Sequence, residues 1–151
     1  MSEPHGSAAA PPRPAEPAVV KLRQPVYTFD IDFAGVVSNI HYLKWSEIWR
    51  LEFGRRAGLA VPEMLKTGVL PMVRRQELNY HRPVRLGQSV SLEGWVERVG
   101  TSSLTLWLEM RDVATGELCC DNRQVLVMTD LRTQASVPIP PEMRARLEQH
   151  T

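Results

Sequence analysis

The sequence predicts an α+β domain in which an antiparallel sheet of about five strands wraps one long central helix. Two observations carry this. In residues 39–56, Tyr42, Trp45, Trp49 and Phe53 recur at spacings of three or four, the period of one helical face. In residues 104–110, L-T-L-W-L-E-M, Leu104, Leu106, Leu108 and Met110 alternate with Thr105, Trp107 and Glu109, the pattern of a strand with one buried and one solvated face.

In chain order, residues 1–24 are rich in Ala, Pro and Glu and lack a periodic apolar face, so they are expected to form a disordered or extended arm. The domain is expected to fill residues 25–151. Tyr27 and Phe29 alternate with Thr28 and Asp30, which predicts a first strand over residues 25–30. A turn follows, then the helix from Asn39 to Arg56, whose apolar face is expected to hold Ile40, Tyr42, Trp45, Ile48, Trp49 and Phe53. Gly54 and Gly58 mark its end. A helical turn near residues 62–66 leads into strands near 69–80, 89–99, 103–113 and 117–130, with Gly100-Thr101 and Ala114-Thr115-Gly116 as hairpin turns. Pro138, Pro140 and Pro141 stop the sheet, and residues 142–149 suit a terminal helix. Trp107 is expected on the outer, exposed face of the sheet.

At 151 residues the chain suits one domain. A formal charge of +1 gives no broad footprint for nucleic acid or an anionic membrane. No apolar run approaches the roughly 18 to 20 residues that span a bilayer, and the N-terminus lacks a secretory pattern. A cytoplasmic protein without integral membrane contact is therefore expected. Adjacent Cys119 and Cys120 would point to opposite faces of a strand, so free thiols are expected. No Cys/His spacing suits a metal.

The run Y-T-F-D-I-D-F-A-G-V-V-S-N-I-H-Y-L-K-W-S-E-I-W resembles the hotdog-fold acyl-CoA thioesterases of the 4-hydroxybenzoyl-CoA thioesterase type. Their signature is D-x-D-x-x-G-V-V followed by a helix with a tyrosine and then an acid. Asp30, Asp32, Gly35, Val36, Val37, Tyr42 and Glu47 match it. N-Y-H-R-P-V-R-L-G-Q from Asn79 and V-E-R-V-G-T-S-S-L-T-L-W-L-E-M from Val96 resemble the family's later strand end and hairpin.

The resemblance implies hydrolysis of an acyl-CoA, or of an acyl carrier protein thioester, with no metal or redox cofactor. It makes Asp32 the nucleophile or general base. By the residues alone, Asp32 reads better as an Asx-turn acid; the resemblance reverses that order. Asp30 reads as structural. The Asn39 backbone N–H is the candidate for polarising the thioester carbonyl, because the first amides of a helix lack internal acceptors. His41 could orient water or substrate or simply be structural, and Glu47 could serve catalysis or an interface. Gly35, Val37, Ser38 and Tyr42 would line the substrate, Arg82 would meet coenzyme A phosphates, and Thr101, Ser102 and Ser103 would bond the pantetheine amides. Ser38-Asn39 departs from the Tyr-His pair of many relatives, which leaves open a non-catalytic acyl-CoA-binding or scaffold protein. Family members join sheets edge to edge as homodimers, often paired into homotetramers, and the same is expected here.

Overall fold

A computed structural model describes residues 8–151. Five antiparallel strands, β1 (Val20–Pro25), β2 (Val69–Tyr80), β3 (Ser89–Val99), β4 (Ser103–Asp112) and β5 (Leu118–Asp130), form one sheet in the order β1-β3-β4-β5-β2. Helix α1 (Asn39–Arg56) lies across one face, with α2 (Val61–Thr67) and α3 (Pro141–Glu148) beside its C-terminal half.

Period-two alternation places Val90, Leu92 and Val96 of β3, Leu104, Leu106, Leu108 and Met110 of β4, and Leu126 and Met128 of β5 in the core with Tyr42, Trp45, Trp49 and Phe53 of α1. Trp49 sets the fit. Its indole lies against Gly94, where a Cβ would run into the ring, and its Nε1–H donates to the Val20 carbonyl at 3.0 Å. One side chain thus ties the helix to both β1 and β3. Leu147 of α3 seals the far end, and the Val96 N–H donates to the His150 carbonyl where β3 bulges.

The structure corrects four expectations. Residues 28–30 form a 3-10 turn rather than a strand, with Tyr27 and Phe29 stacked and exposed. The first strand lies earlier, at Val20–Pro25, paired with Gly94 to Ser89 of β3, so the sheet begins inside the predicted arm. Here Val20 and Leu22 alternate with Lys21 and Arg23, and pairing with β3 decides the matter. Residues 1–7 of the expected arm lie outside the described residues, but residues 8–19 run over the outer face of the sheet. They bury Trp107, which is only 2% exposed, together with Trp95 and Val19. Finally, Ile40 and Ile48 of α1 face outward with Leu43 and Leu51.

Candidate active site at the start of the central helix

The chain leaves β1 at Pro25 and must turn sharply into α1. Asp30 holds that turn. Its buried carboxylate, 2% exposed, accepts the Tyr27 N–H at Oδ2 (2.8 Å) and contacts His41 Nδ1 at Oδ1 (2.8 Å), while its carbonyl accepts the Ser38 N–H at 2.9 Å. Asp30 is thus a clasp between the 3-10 turn and the first turn of the helix, and His41 is the other half of the clasp. An Ile31 to Val37 bridge closes a small loop over residues 32–36, in which the Asp32 N–H donates to the Val36 carbonyl at 2.9 Å. Gly35, at φ +76°, donates to the Asp32 carbonyl at 3.1 Å, and the left-handed conformation explains the glycine.

Asp32 is half-buried on this loop. Oδ1 accepts the Ala34 N–H at 2.8 Å, an Asx-turn, and among the described residues Oδ2 has no hydrogen-bond partner. One oxygen shapes the loop; the other does not. Where that loop enters the helix, Asn39 occupies the first helical position and its N–H has no intrahelical acceptor; Ser38 precedes it in extended conformation without a side-chain cap. Asp32 itself is not among the residues that line the cleft at this helix start.

Asn39 lines a cleft of about 280 Å³ with Val36, Val37, Tyr42, Tyr80, His81, Arg82 and Pro83. The Val37 N–H donates to the Val84 carbonyl at 2.8 Å, which fixes that wall. Tyr42 and Tyr80 meet edge to face at 5.2 Å. Burial, helped by the neighbouring Cys120 and Cys119 thiols, pushes the Tyr42 hydroxyl up to about 12, so it stays a neutral donor. Both cysteines are free and buried, and burial pushes Cys120 up to about 12. Arg82 leads into a second cleft that it shares with Arg85, Leu86 and Gln88, and pairs with Glu117 at 3.1 Å.

The structure therefore brings Asp32, Gly35, Val37, Ser38, Asn39, His41, Tyr42 and Arg82 to one end of the sheet. It does not bring the others there. Thr101, Ser102 and Ser103 form the β3–β4 turn at the opposite end, where the Thr101 and Ser102 carbonyls accept the Ile139 and Met128 N–H groups, both at 2.8 Å. Glu47 sits exposed on the outward face of α1, its charge felt by Arg50.

Two groups were not singled out by the sequence. His81, at the cleft, places Nε2 2.6 Å from Oδ2 of buried Asp121, whose Oδ1 accepts from Asn79 Nδ2 at 2.8 Å. These residues lie forty apart, and only the register Asn79 to Asp121 between β2 and β5 joins them. Arg50, on the inner side of α1, donates to buried Gln124 Oε1 at 2.7 Å and lines an apolar cavity of about 120 Å³ with Leu51, Phe53, Met64, Leu106 and Leu126. Desolvation lowers its guanidinium below the ordinary arginine range.

A five-stranded antiparallel sheet around one central helix, with a cleft at the helix start, is the hotdog arrangement. The model of the thioesterase-like superfamily matches residues 26–147, and the chain belongs to that superfamily. A Synechocystis protein provisionally named an esterase is 33% identical over 108 residues, covering 71% of this chain and 63% of the relative. A chloroplast acyl-[acyl-carrier-protein] hydrolase of Cuphea viscosissima is 28% identical over 112 residues, or 74% of this chain. The chain spans 26% of that hydrolase, so it corresponds to a part of these longer relatives. Among solved structures, the DHNA-CoA thioesterase of Staphylococcus aureus superposes with a TM-score of 0.80 at 19% identity, covering 87% of this chain and 89% of the other, a likeness of fold.

Proposed function

We propose that this protein hydrolyses acyl thioesters, of coenzyme A or of acyl carrier protein, at the start of α1. The observation that carries the reading is Asp32: one carboxylate oxygen is spent on its own turn and the other has no hydrogen-bond partner among the described residues, on the loop that leads into a helix whose first amides lack acceptors. With the thioester carbonyl on the Asn39 N–H, the oxyanion that develops during attack meets a donor already in place and the positive end of the helix dipole. Asp32 then either attacks the carbonyl carbon or takes a proton from an attacking water. The chemistry asks for no metal or redox cofactor. Superfamily membership supports the reaction class, as do relatives named for acyl carrier protein and CoA thioesters.

The reading also proposes a homodimer. β2 is an edge strand with Met72, Val73 and Tyr80 exposed along it, and the outward face of α1 adds Leu43, Ile48 and Leu51. Long apolar edges invite pairing. An antiparallel β2 to β2 contact about a two-fold axis would set the Val69 end of one copy against the Tyr80 end of the other. The residue 101–103 turn, which lies at the Val69 end, would then approach the partner's cleft, where its hydroxyls could bond pantetheine. Arg82 and Arg85 would take the phosphates at the rim. A cytoplasmic location fits such substrates, and no helix among the described residues is long and apolar enough to cross a membrane.

Thiol release measured across short, long and aromatic acyl-CoAs and acyl carrier protein thioesters tests the reading. Turnover of at least one class is expected. Tight binding of CoA esters without any turnover would replace it with the non-catalytic module.

A further inference from the structure

Across the outer face of β3 and β4, Glu93 stands directly opposite Glu109, and Trp95 opposite Trp107. Two carboxylates facing each other across adjacent strands repel, and two indoles on an outer face leave a large apolar surface. Residues 8–19 resolve both problems. Arg13 ion-pairs with Glu93 through Nη2 and with Glu109 through Nη1 at 3.2 Å, and its guanidinium carbon lies 5.5 Å from the centre of the Trp95 ring. Arg123, whose guanidinium carbon lies 5.0 Å from the centre of the Trp107 ring, pairs with Glu97 at 2.8 Å and donates to the Ala8 and Ala9 carbonyls at 3.4 and 2.9 Å. Val19 completes the cluster with the two tryptophans.

We propose that this arm is an assembly stop: it occupies the face on which the sheet of a second copy would otherwise pack, and so closes the sheet-to-sheet route of association. Two observations fit the covered face to a second copy. First, its charges complement themselves. Glu93, Glu97 and Glu109 share the patch with Arg111 and Arg123, so a two-fold contact sets carboxylates against guanidinium groups and indole against indole. Second, among the described residues Trp95 Nε1 is buried under the arm without a hydrogen-bond partner, although a buried indole N–H ordinarily has one. A carboxylate from a facing sheet would supply the missing acceptor. Among the described residues, the polar contacts of residues 8–17 with the sheet come from the side chains of Arg13 and Glu16 and from the Ala8 and Ala9 carbonyls, all outside the β1 pairing that begins at Val20, so this part of the arm can leave without dismantling a strand.

The test compares the molar mass of the full chain at micromolar concentration with two variants, one lacking residues 1–15 and one carrying Arg13→Glu. The substitution sets a third carboxylate against Glu93 and Glu109 and should expel the arm. Light scattering should show the mass of each folded variant doubled, with tryptophan emission shifted to the red in dilute samples. Adding Trp107→Thr should return the mass to that of the full chain. A folded variant of unchanged mass would overturn the proposal. So would unfolding of both variants, because the arm would then be part of the core and not a removable cover.

Discussion

Replacing Asp32 by Asn separates the loop from the proposed chemistry, because only one of the two carboxylate oxygens is engaged in the turn. Oδ1 accepts the Ala34 N–H at 2.8 Å, a bond that an amide oxygen makes equally well. The loop also keeps the Gly35 to Asp32 and Asp32 to Val36 backbone bonds, so the stability change should stay within about 1 kcal/mol. The second oxygen becomes an NH₂ group, which neither attacks a carbonyl nor takes a proton from water. Turnover should therefore fall by roughly 10² or more, the lower range for a positioned base. Asp30→Asn should do the opposite. Both Asp30 oxygens accept or contact inside a buried site, so an amide there loses one bond and aims a donor at the Tyr27 N–H or at His41. That costs about 1–3 kcal/mol, with lost activity following from a disturbed helix start. The assay is thiol release at saturating substrate beside urea unfolding of both variants. A folded Asp32→Asn protein with near-normal hydrolysis would refute the assignment of the reacting carboxylate.

Three further outcomes are expected. Arg13→Gln should destabilise the fold by about 1 kcal/mol, a modest value because Arg13 is partly solvated. Burial raises the Glu93 carboxyl, but the Arg13 and Ser91 hydrogen bonds outweigh it and hold the group below its unfolded value. Stability from a depressed carboxyl is present above the unfolded pKa of about 4.3 and is lost as pH falls through the folded one. The gap between wild type and variant in melting experiments should thus narrow below about pH 4; a gap independent of pH would remove the ion pair as its cause. Gly94→Ala should destabilise by about 1–3 kcal/mol as the new methyl group displaces Trp49, measured by denaturant midpoint, and an unchanged midpoint would show that the indole has room to move. Val73→Glu, on the exposed edge of β2, should leave a folded monomer in sedimentation with at least tenfold lower turnover, whereas a fully active monomer would remove the shared site.

The parts of the fold that read directly from sequence are those where periodicity and punctuation agree. Helix α1 runs from Asn39 to Arg56 as its aromatic spacing predicts, and β2 and β3 span the predicted residues. The misreadings of the arm, the first strand and Trp107 have one physical root, which is that residues 8–25 hold on to the sheet by long-range contacts. Val20 and Leu22 alternate like a strand, but Pro- and Ala-rich neighbours hide that signal until β3 pairs with it. Trp107 alternates as an outer residue and is one, yet the arm covers it. In the candidate site, the Asp32 loop and the Asn39 amide were legible because they are contiguous in the chain. His81 with Asp121, and Arg50 with Gln124, were not, since each pair meets only through strand register or helix docking.

The sheet order carries a kinetic consequence. β1 and β2 flank α1 in sequence but stand at opposite edges of the sheet, with the β3-β4-β5 meander between them. No early segment of the chain can therefore finish a sheet from local pairings. During synthesis the aromatic face of α1 emerges before any of the three strands that will cover it: Trp49 waits for Gly94 of β3, and the face is not closed until Leu126 and Met128 of β5 have left the ribosome. High sequence separation of this kind slows folding and prolongs exposure of apolar surface. Nascent chains ending before Leu118 should thus be the ones that chaperones hold, and release should coincide with the appearance of β5.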